Sequence, residues 1–278
     1  MTDSRAERKS VKEYPGRLVL LGNPVSHSLS PTFQNAALQA AGIPLIYEAV
    51  EIRDKELRGL LRELKKVSAA GNVTIPHKVA VHDRCDELTD IAGRVGAVNT
   101  FWFVSGKLHG DNTDVGGFDA AAHALIGGEP AGARIALFGA GGAAAAVLAA
   151  IESWSGATVS IVARNRAKAE GLAERFPDVA RIQRSVKRAV EDATLVVNAT
   201  PVGQHDDAQP IDVAKLSRST AVMDLVYRRG GTPWVKAARE RGNPAADGLP
   251  MLLEQGALSF QRWFGLQPDR EAMRQALL

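Results

Sequence analysis

The sequence predicts an α/β protein made of two α/β domains, and three observations predict it. The length, 278 residues, is about two domains on the usual scale of ~100–200 residues each. Short apolar runs alternate with helical periods along the chain, the pattern of strand–helix–strand units and mostly parallel sheets. Gly139-Ala-Gly-Gly-Ala-Ala144 lies between the apolar run Ile135–Phe138 and the Ala-rich helical run Ala143–Ile151. Strand, tight turn and helix follow one another there directly.

Taken in order, Arg17–Gly22 reads as the first strand. Ser30-Pro31 opens a helix, with Ser30 as N-cap and Pro31 at the first helical position. That helix runs to Gly42, a residue suited to the left-handed position after a helix. Leu45–Ile52 is a second strand. Asp54–Val67 is an amphipathic helix with Leu57, Leu60, Leu61 and Leu64 on one face. Ala70–Ile75 is a third strand, and a helix follows Lys78. Ala97–Val104 and Lys107–Thr113 form a hairpin around Ser105-Gly106. Asp114–Leu125 is an Ala-rich helix, and Gly127–Gly132 a polar linker.

From Arg134 a second unit has strands Ile135–Phe138, Thr158–Val162, Val179–Ile182, Leu195–Ala199 and Ala221–Val226. Its helices include Arg166–Phe176 and Thr232–Arg241, the latter opened by Thr232-Pro233. Leu249–Trp263 is apolar on most sides and is expected to pack back across the domain junction. The expected division is a disordered leader over 1–14, an N-terminal domain over 15–113, a second domain over 114–248 and returning helices over 249–278.

Composition bounds the function classes. Hydrophobic residues make up 45% and charged residues 23% of the chain, which suits a soluble globular protein. The net charge of +3 is spread among acids, with no basic run interleaved with aromatics, so no nucleic-acid partner is expected. No apolar run approaches the ~18 residues of a membrane span, and the polar N-terminus has no signal-peptide core. One cysteine, Cys85, excludes an intrachain disulfide and points to a reducing, cytoplasmic setting. It stands in a polar stretch expected to be helical, in a surface or packing role. The histidines are scattered, so no metal is expected. No sequence feature marks an interface; monomer and homodimer both stand.

The glycine turn carries specific chemistry. Gly139 permits the sharp turn, Gly141 lets backbone approach a pyrophosphate, and small Ala144 lets helix and strand pack closely. The free N–H groups of the helix N-terminus then point at phosphate. A Rossmann-like domain is predicted. Its second strand ends Ile161-Val162-Ala163-Arg164-Asn165-Arg166-Ala167-Lys168. No acid is there to take ribose hydroxyls. Three cations stand in its place, and the planar fork of arginine matches a 2′-phosphate. NADP is expected over NAD.

The N-terminal half places polar side chains at strand ends: Gly22-Asn-Pro-Val-Ser-His-Ser-Leu-Ser-Pro31, Asn72-Val-Thr-Ile-Pro-His-Lys78, Gly96-Ala-Val-Asn-Thr100 and Gly110-Asp-Asn-Thr-Asp114. Singly, Ser30 reads equally as a helix cap, Asn72 and Asn99 as turn residues, and Asp114 as an N-cap. Together they suit a pocket for a small, hydroxyl-rich molecule.

Joined by Asn198-Ala-Thr-Pro-Val-Gly203, Asp224-Leu-Val-Tyr227 and Asp247-Gly-Leu-Pro-Met-Leu-Leu-Glu-Gln255, these motifs make the chain resemble the shikimate dehydrogenase family from about Arg17 to Trp263. The resemblance implies a reversible NADP-dependent oxidation of shikimate to 3-dehydroshikimate, run reductively in aromatic amino-acid synthesis. It implies that Ser28 and Ser30 hold the substrate carboxylate, with Tyr227 near that end. Asn72, Thr74, Lys78, Asn99, Thr113, Asp114 and Gln255 would surround the ring. Gly139, Ala140, Gly141, Gly142 and Ala143 would hold the pyrophosphate. Ala163, Arg164, Asn165, Arg166 and Lys168 would take the adenosine end, and Asp90, Leu225 and Gly248 would line the cofactor.

The catalytic pair is expected to be Lys78 and Asp114. Lys78 would give the proton in reduction and take it in oxidation, with Asp114 orienting it. Proton transfer and simple charge stabilisation by Lys78 both stand. His77, where the family usually carries an aromatic, reads as a wall residue; His27 and His109 read as structural. The chain departs from the family at Ala163-Arg164-Asn165, where Asn-Arg-Thr or Asn-Arg-Ser is usual. It departs again at Arg228-Arg229-Gly230, where a proline is common. A quinate/shikimate or aminoshikimate-type dehydrogenase, with broader substrate or NAD use, is the alternative. A non-catalytic binding paralogue is expected to lose Lys78 or Asp114, and both are present.

Overall fold

A computed structural model describes residues 14–277. The first sheet draws on β1 (Leu18–Gly22), β2 (Tyr47–Glu51), β3 (Ala70–Val73), β4 (Glu87–Leu88), β5 (Thr100–Val104) and β6 (Lys107–Asp111). Between and after these strands run α1 (Ser30–Ala40), α2 (Asp54–Lys66), α3 (Lys78–His82), α4 (Asp90–Val95) and α5 (Asp114–Ile126). The strand order is β2-β1-β3-β5-β6-β4. β1 lies parallel to β2 and β3, whereas β5 is antiparallel to both β3 and β6. The sheet is therefore mixed. The hairpin forces this: Ser105 (φ 51°) and Gly106 (φ 74°) form a two-residue turn of the kind that matches strand twist.

That reversal positions the site. Thr100, at the start of β5, pairs with Asn72 near the end of β3 and with Asp111 at the end of β6. Three of the four polar motifs thus converge at one end of one sheet.

The second sheet has β7 (Arg134–Phe138), β8 (Thr158–Val162), β9 (Ala180–Ile182), β10 (Leu195–Asn198), β11 (Ala221–Asp224) and β12 (Ala245–Ala246). α6 (Gly142–Ile151), α7 (Arg166–Arg175), α8 (Val186–Val190) and α9 (Pro233–Glu240) connect them. All pairs are parallel, in the order β12-β11-β10-β7-β8-β9. The winding direction reverses between β7 and β10, where an open α/β sheet forms its ligand crevice.

α10 (Leu249–Phe264) returns to the first domain, followed by α11 (Arg270–Gln275). It lies against α5 closely enough that a Cβ on Gly117 would sit 2.7 Å from the Gln255 Cβ. On its other side a Cβ on Gly256 would sit 2.3 Å from the Phe33 ring of α1. Phe33, Phe260 and Phe264 fill the core there.

Several local expectations hold. Gly42 adopts φ 64°, and the Ile43 N–H bonds back to the Leu38 carbonyl at 2.9 Å. The Thr232 hydroxyl caps α9 by accepting from the Val235 N–H. Leu57, Leu61 and Leu64 are buried along α2.

Others are corrected. Ser30 is the first helical residue rather than the cap, and its own N–H donates to Ser28 Oγ at 3.2 Å. Cys85 lies outside α3, in an irregular segment behind β6. β4, β12, α4 and α8 were not foreseen; each is too short to show a period. Residues 1–13 of the expected leader lie outside the described residues. Tyr14, its last residue, packs edge-on against Phe264, ring centroids 5.8 Å apart. Among the described residues no helix is long and apolar enough to cross a membrane.

The Cys85 thiol is pushed up to about 12 by burial, with the Asp86 carboxylate adding to the push. The thiolate is the reactive form, so alkylation near pH 8 will be on the order of 10²–10³ times slower in the native protein than after denaturation. Mass spectrometry of iodoacetamide-treated samples measures the ratio.

Candidate active site

At the converging strand ends, Asn99 is the hub. Its Nδ2 donates to Asp114 Oδ1 at 2.8 Å and to Thr113 Oγ1 at 3.0 Å. Its Oδ1 accepts from the Thr113 N–H at 2.7 Å and from Thr100 Oγ1 at 2.9 Å. Asn99 is 2% exposed, so these bonds are made away from competing water. They fix Asp114 at the first turn of α5, where a helix N-terminus favours negative charge.

Lys78 arrives from the other side. It opens α3 just beyond the end of β3, and its Nζ lies 2.6 Å from Asp114 Oδ2. Asp114 is the only hydrogen-bond partner of that ammonium among the described residues, leaving N–H groups for a ligand. His77, fully buried, holds the start of α3: its Nε2 donates to the Ile52 carbonyl at 2.6 Å and its Nδ1 lies 2.9 Å from Asp54 Oδ1. His109 stacks on Trp102.

The remaining substrate candidates divide by position. Gln255 of α10 places Oε1 3.3 Å from Asn99 Nδ2 while its Nε2 donates to the Leu252 carbonyl. Thr74 belongs to the backbone turn into Lys78: its N–H donates to the Leu21 carbonyl and its carbonyl accepts from the His77 N–H. Asn72 sits behind Asn99, its amide taken up by the Asn99 carbonyl, Thr100 Oγ1 and Ser259 Oγ, and its Oδ1 by the Tyr47 hydroxyl at 2.7 Å. Ser30 is buried in α1.

Tyr227 bridges the two domains. It follows β11 in the second, yet its hydroxyl meets the Leu29 backbone and the Ser28 side chain in the first. Burial pushes this phenol up, and those two contacts pull it partly back.

The nucleotide side is formed as the glycines require. Gly139 has φ 118°, and a Cβ there would lie 2.7 Å from the Ala199 carbonyl oxygen, so no larger residue fits. In front of Gly141 and Gly142 the Cβ positions meet nothing within 4 Å. No side chain caps α6, so its first N–H groups stay free beside Ala140 and Ala143. That open cradle fits a pyrophosphate. At the end of β8, Asn165 Oδ1 caps α7 by accepting from the Lys168 N–H at 3.0 Å, and Arg166 pairs with Glu170 at 2.6 Å. Arg164, next to Ala163, and Lys168 have no acidic partner among the described residues. Leu225 continues from β11, and the Gly248 N–H bonds to the adjoining Val226 carbonyl at 3.0 Å.

Asp90 is placed apart from the glycine loop. It opens α4 and lines a groove with Ile91, Arg94, Val115 and Ala149, on the flank of α6. Among the described residues no group of three His, Cys, Asp or Glu side chains could hold a metal ion.

Sequence reasoning missed Ser259, Thr100 and Tyr47. Ser259 Oγ meets Asn72, Thr100 and Thr113 and donates to the Gln255 carbonyl. The available signal was its spacing, four residues after Gln255 on an otherwise apolar face.

A dinucleotide-type Rossmann domain, coupled to a second domain that carries a half-buried Lys–Asp pair among amides and hydroxyls, defines the class of two-domain NAD(P)-dependent oxidoreductases. The comparisons narrow the class. Residues 20–101 match the shikimate dehydrogenase substrate binding domain, and residues 248–278 the shikimate 5′-dehydrogenase C-terminal domain. The chain is 40% identical over 261 residues to the shikimate dehydrogenase (NADP(+)) of Thermus thermophilus, covering 94% of this chain and 97% of that one. A crystal structure of shikimate 5-dehydrogenase from Thermus thermophilus, in complex with NADP(H) and shikimate, superposes with TM-score 0.86 at 39% identity, covering 94% and 98% of the chains. Quinate dehydrogenase from Corynebacterium glutamicum in complex with NAD gives 0.85 at 29% identity, covering 93% and 97%. The chain belongs to the shikimate dehydrogenase family.

Replacing Asn99 by Ala strips a partner from Asp114 Oδ1 and from the Thr113 N–H in a buried setting. Unsatisfied groups of this kind cost about 1–3 kcal/mol, and urea unfolding of Asn99→Ala will show a loss in that range.

Proposed function

We propose that this chain catalyses the NADP-dependent, reversible oxidation of shikimate to 3-dehydroshikimate, run reductively in aromatic amino-acid and chorismate biosynthesis. The observation that carries the reading is the 2.6 Å contact between Lys78 Nζ and Asp114 Oδ2, a proton donor fixed by a carboxylate among neutral hydrogen-bonding groups. In the working division, residues 15–113 with the returning 249–278 form the substrate lobe and 114–248 the nucleotide lobe. A reducing cytoplasm suits the single, half-buried cysteine, and the protein works as a monomer or homodimer.

NADP supplies the hydride acceptor when bound. Gly139 to Ala143 would hold its pyrophosphate at the start of α6, and Leu225 and Gly248 would line the cofactor; Asp90, on the flank of α6, is not brought to the glycine loop. Ala163 and Asn165 shape the adenosine end; Arg164, Arg166 and Lys168 supply its positive charge, with Arg164 and Lys168 the two free to meet the 2′-phosphate. In the substrate lobe, Ser28, Ser30 and Tyr227 bind the carboxylate. Thr74, Asn99, Thr113 and Gln255 orient the ring hydroxyls, and Asn72 supports them from behind. As the reacting carbon loses hydride, neutral Lys78 Nζ takes the hydroxyl proton, and in reduction the ammonium returns it. Asp114 holds Nζ in line through Oδ2.

A second reading, quinate turnover with NAD, draws support from the similar quinate dehydrogenase and from the unusual Ala163 and Asn165. An absorbance assay compares the two: rates with shikimate and NADP+ will exceed those with quinate and NAD+, and the reverse order replaces the first reading by the second.

Lys78→Ala will lower kcat by ~10²–10⁴, the usual contribution of a general acid–base group, with shikimate KM changed only a few-fold; steady-state kinetics check both. Arg164→Glu will raise the KM for NADP+ at least tenfold more than that for NAD+, because charge reversal acts on the 2′-phosphate.

A further inference from the structure

Asp224 is buried at the end of β11 and has no part in the scheme above. Burial pushes its carboxyl up, its hydrogen-bond donors pull it back, and the nearby Asp247 carboxylate adds to the push. A buried carboxylate persists only where donors compensate it. Asn198, its register partner on β10, donates Nδ2 to Asp224 Oδ1 at 2.8 Å, and the Val226 N–H donates to the same oxygen at 3.1 Å. The Thr232 hydroxyl donates to Oδ2 at 2.8 Å.

Each donor belongs to a different segment. Asn198 folds the loop after β10: its Oδ1 accepts from the Thr200 N–H and hydroxyl, and its Nδ2 also reaches the Val202 carbonyl. That loop is the surface on which Gly139 rests, through Ala199. Val226 lies between Leu225 and Tyr227 and carries Gly248 on its carbonyl. Thr232 closes the far end of the Arg228–Gly231 loop by capping α9.

We infer that Asp224 is a positioning residue, one buried carboxylate that holds both the cofactor-side loop 198–203 and the Tyr227 loop in register, so that the two ligands' sites are set together. The inference rests on the proposed reaction and adds to it the coupling of its two binding sites. Asp224 touches neither ligand; it acts through Asn198 and Val226.

Asp224→Ala removes the acceptor from all three donors. Shikimate KM and NADP+ KM will rise together, each roughly tenfold, the loss expected when charge-assisted bonds are removed, while kcat at saturation stays within about threefold. Asp224→Asn will restore both KM values to within about threefold, because its Oδ1 still serves Asn198 and Val226 and its amide can donate to Thr232 Oγ1. Where Asp224→Ala does not fold, Asn198→Ala removes the other half of the pair and carries the same joint expectation. A change in one KM alone, or a fall in melting temperature with both KM values unmoved, overturns the inference. Wild-type turnover is measured first, so that inactivity on shikimate counts against the substrate assignment alone. NADP+ titration followed by intrinsic fluorescence then still reads Asp224, and an unchanged affinity in the variant overturns its role.

Discussion

The candidate site depends on keeping one cation and one anion together where water reaches them only in part. Removing a lysine and an aspartate from water costs several kcal/mol per ion unless geometry and further hydrogen bonds offset it. Here the offset comes from a single amide. Asn99 satisfies Asp114 Oδ1, leaving Oδ2 for Lys78. The amide is itself fixed through its oxygen by Thr113 and Thr100. Rotating Asn99 by half a turn would set its amide N–H groups against the Thr113 N–H, so the network admits one orientation only. The pair is thus preorganised by neutral groups, which is what the proposed proton transfer needs if no reorganisation is to accompany the chemistry.

The same pair ties the site to the joint between domains. Asp114 opens α5, and α5 meets α10 through Gly117. α10 delivers Gln255 and Ser259 into the amide cluster, and its Arg262 binds Asp111 at the end of β6. Two helices therefore carry both the interdomain contact and the polar site. On one flank Arg94 of α4 pairs with Glu152 beyond α6 and lies over the Phe176 ring at 4.5 Å. Tyr227 supplies a crossing point over loop 28–30. Asp114 stands at the boundary itself, the first residue of α5, and Asn99 ties it to the first sheet; a rotation of one lobe on the other would move Tyr227 relative to Ser28.

Much of this was legible in the sequence, for reasons that differ by residue. Gly42, Gly139 and Thr232 were read correctly because each answers a local demand: a left-handed residue, a sharp turn, a cap. Ser30 was misread as a cap because three serines crowd residues 26–30, and local chemistry alone does not choose among them. Apolar alternation identifies strands but carries no sign of direction, so the convergence of Asn72, Thr100 and Asp111 followed only once the Ser105-Gly106 hairpin reversed β5. Ser259 was hidden by its surroundings. A lone serine on an apolar helix satisfies itself against the preceding turn, as Ser259 also does with the Gln255 carbonyl. Its contacts with Asn72 and Thr100, more than 150 residues earlier in the chain, belong to tertiary packing.

Cofactor choice shows how structure sharpens a charge count. The segment after β8 offers three cations, yet they are not equivalent. Arg166 is engaged by Glu170 one turn on, an exposed i,i+4 pair worth only a few tenths of a kcal/mol. Asn165, where the family usually has Thr or Ser, is committed to capping α7, so in the proposed site the phosphate contact would fall to its neighbours. Arg164, one residue earlier and still outside the helix, avoids the positive end of the helix dipole that a first-turn cation would face. Its guanidinium can therefore meet a 2′-phosphate with both arms, while Lys168, on the first turn, contributes a point charge. In the proposed site, geometric discrimination would fall to Arg164 and general attraction to Lys168. Changing Lys168 should accordingly weaken NADP and NAD more nearly alike than changing Arg164 does.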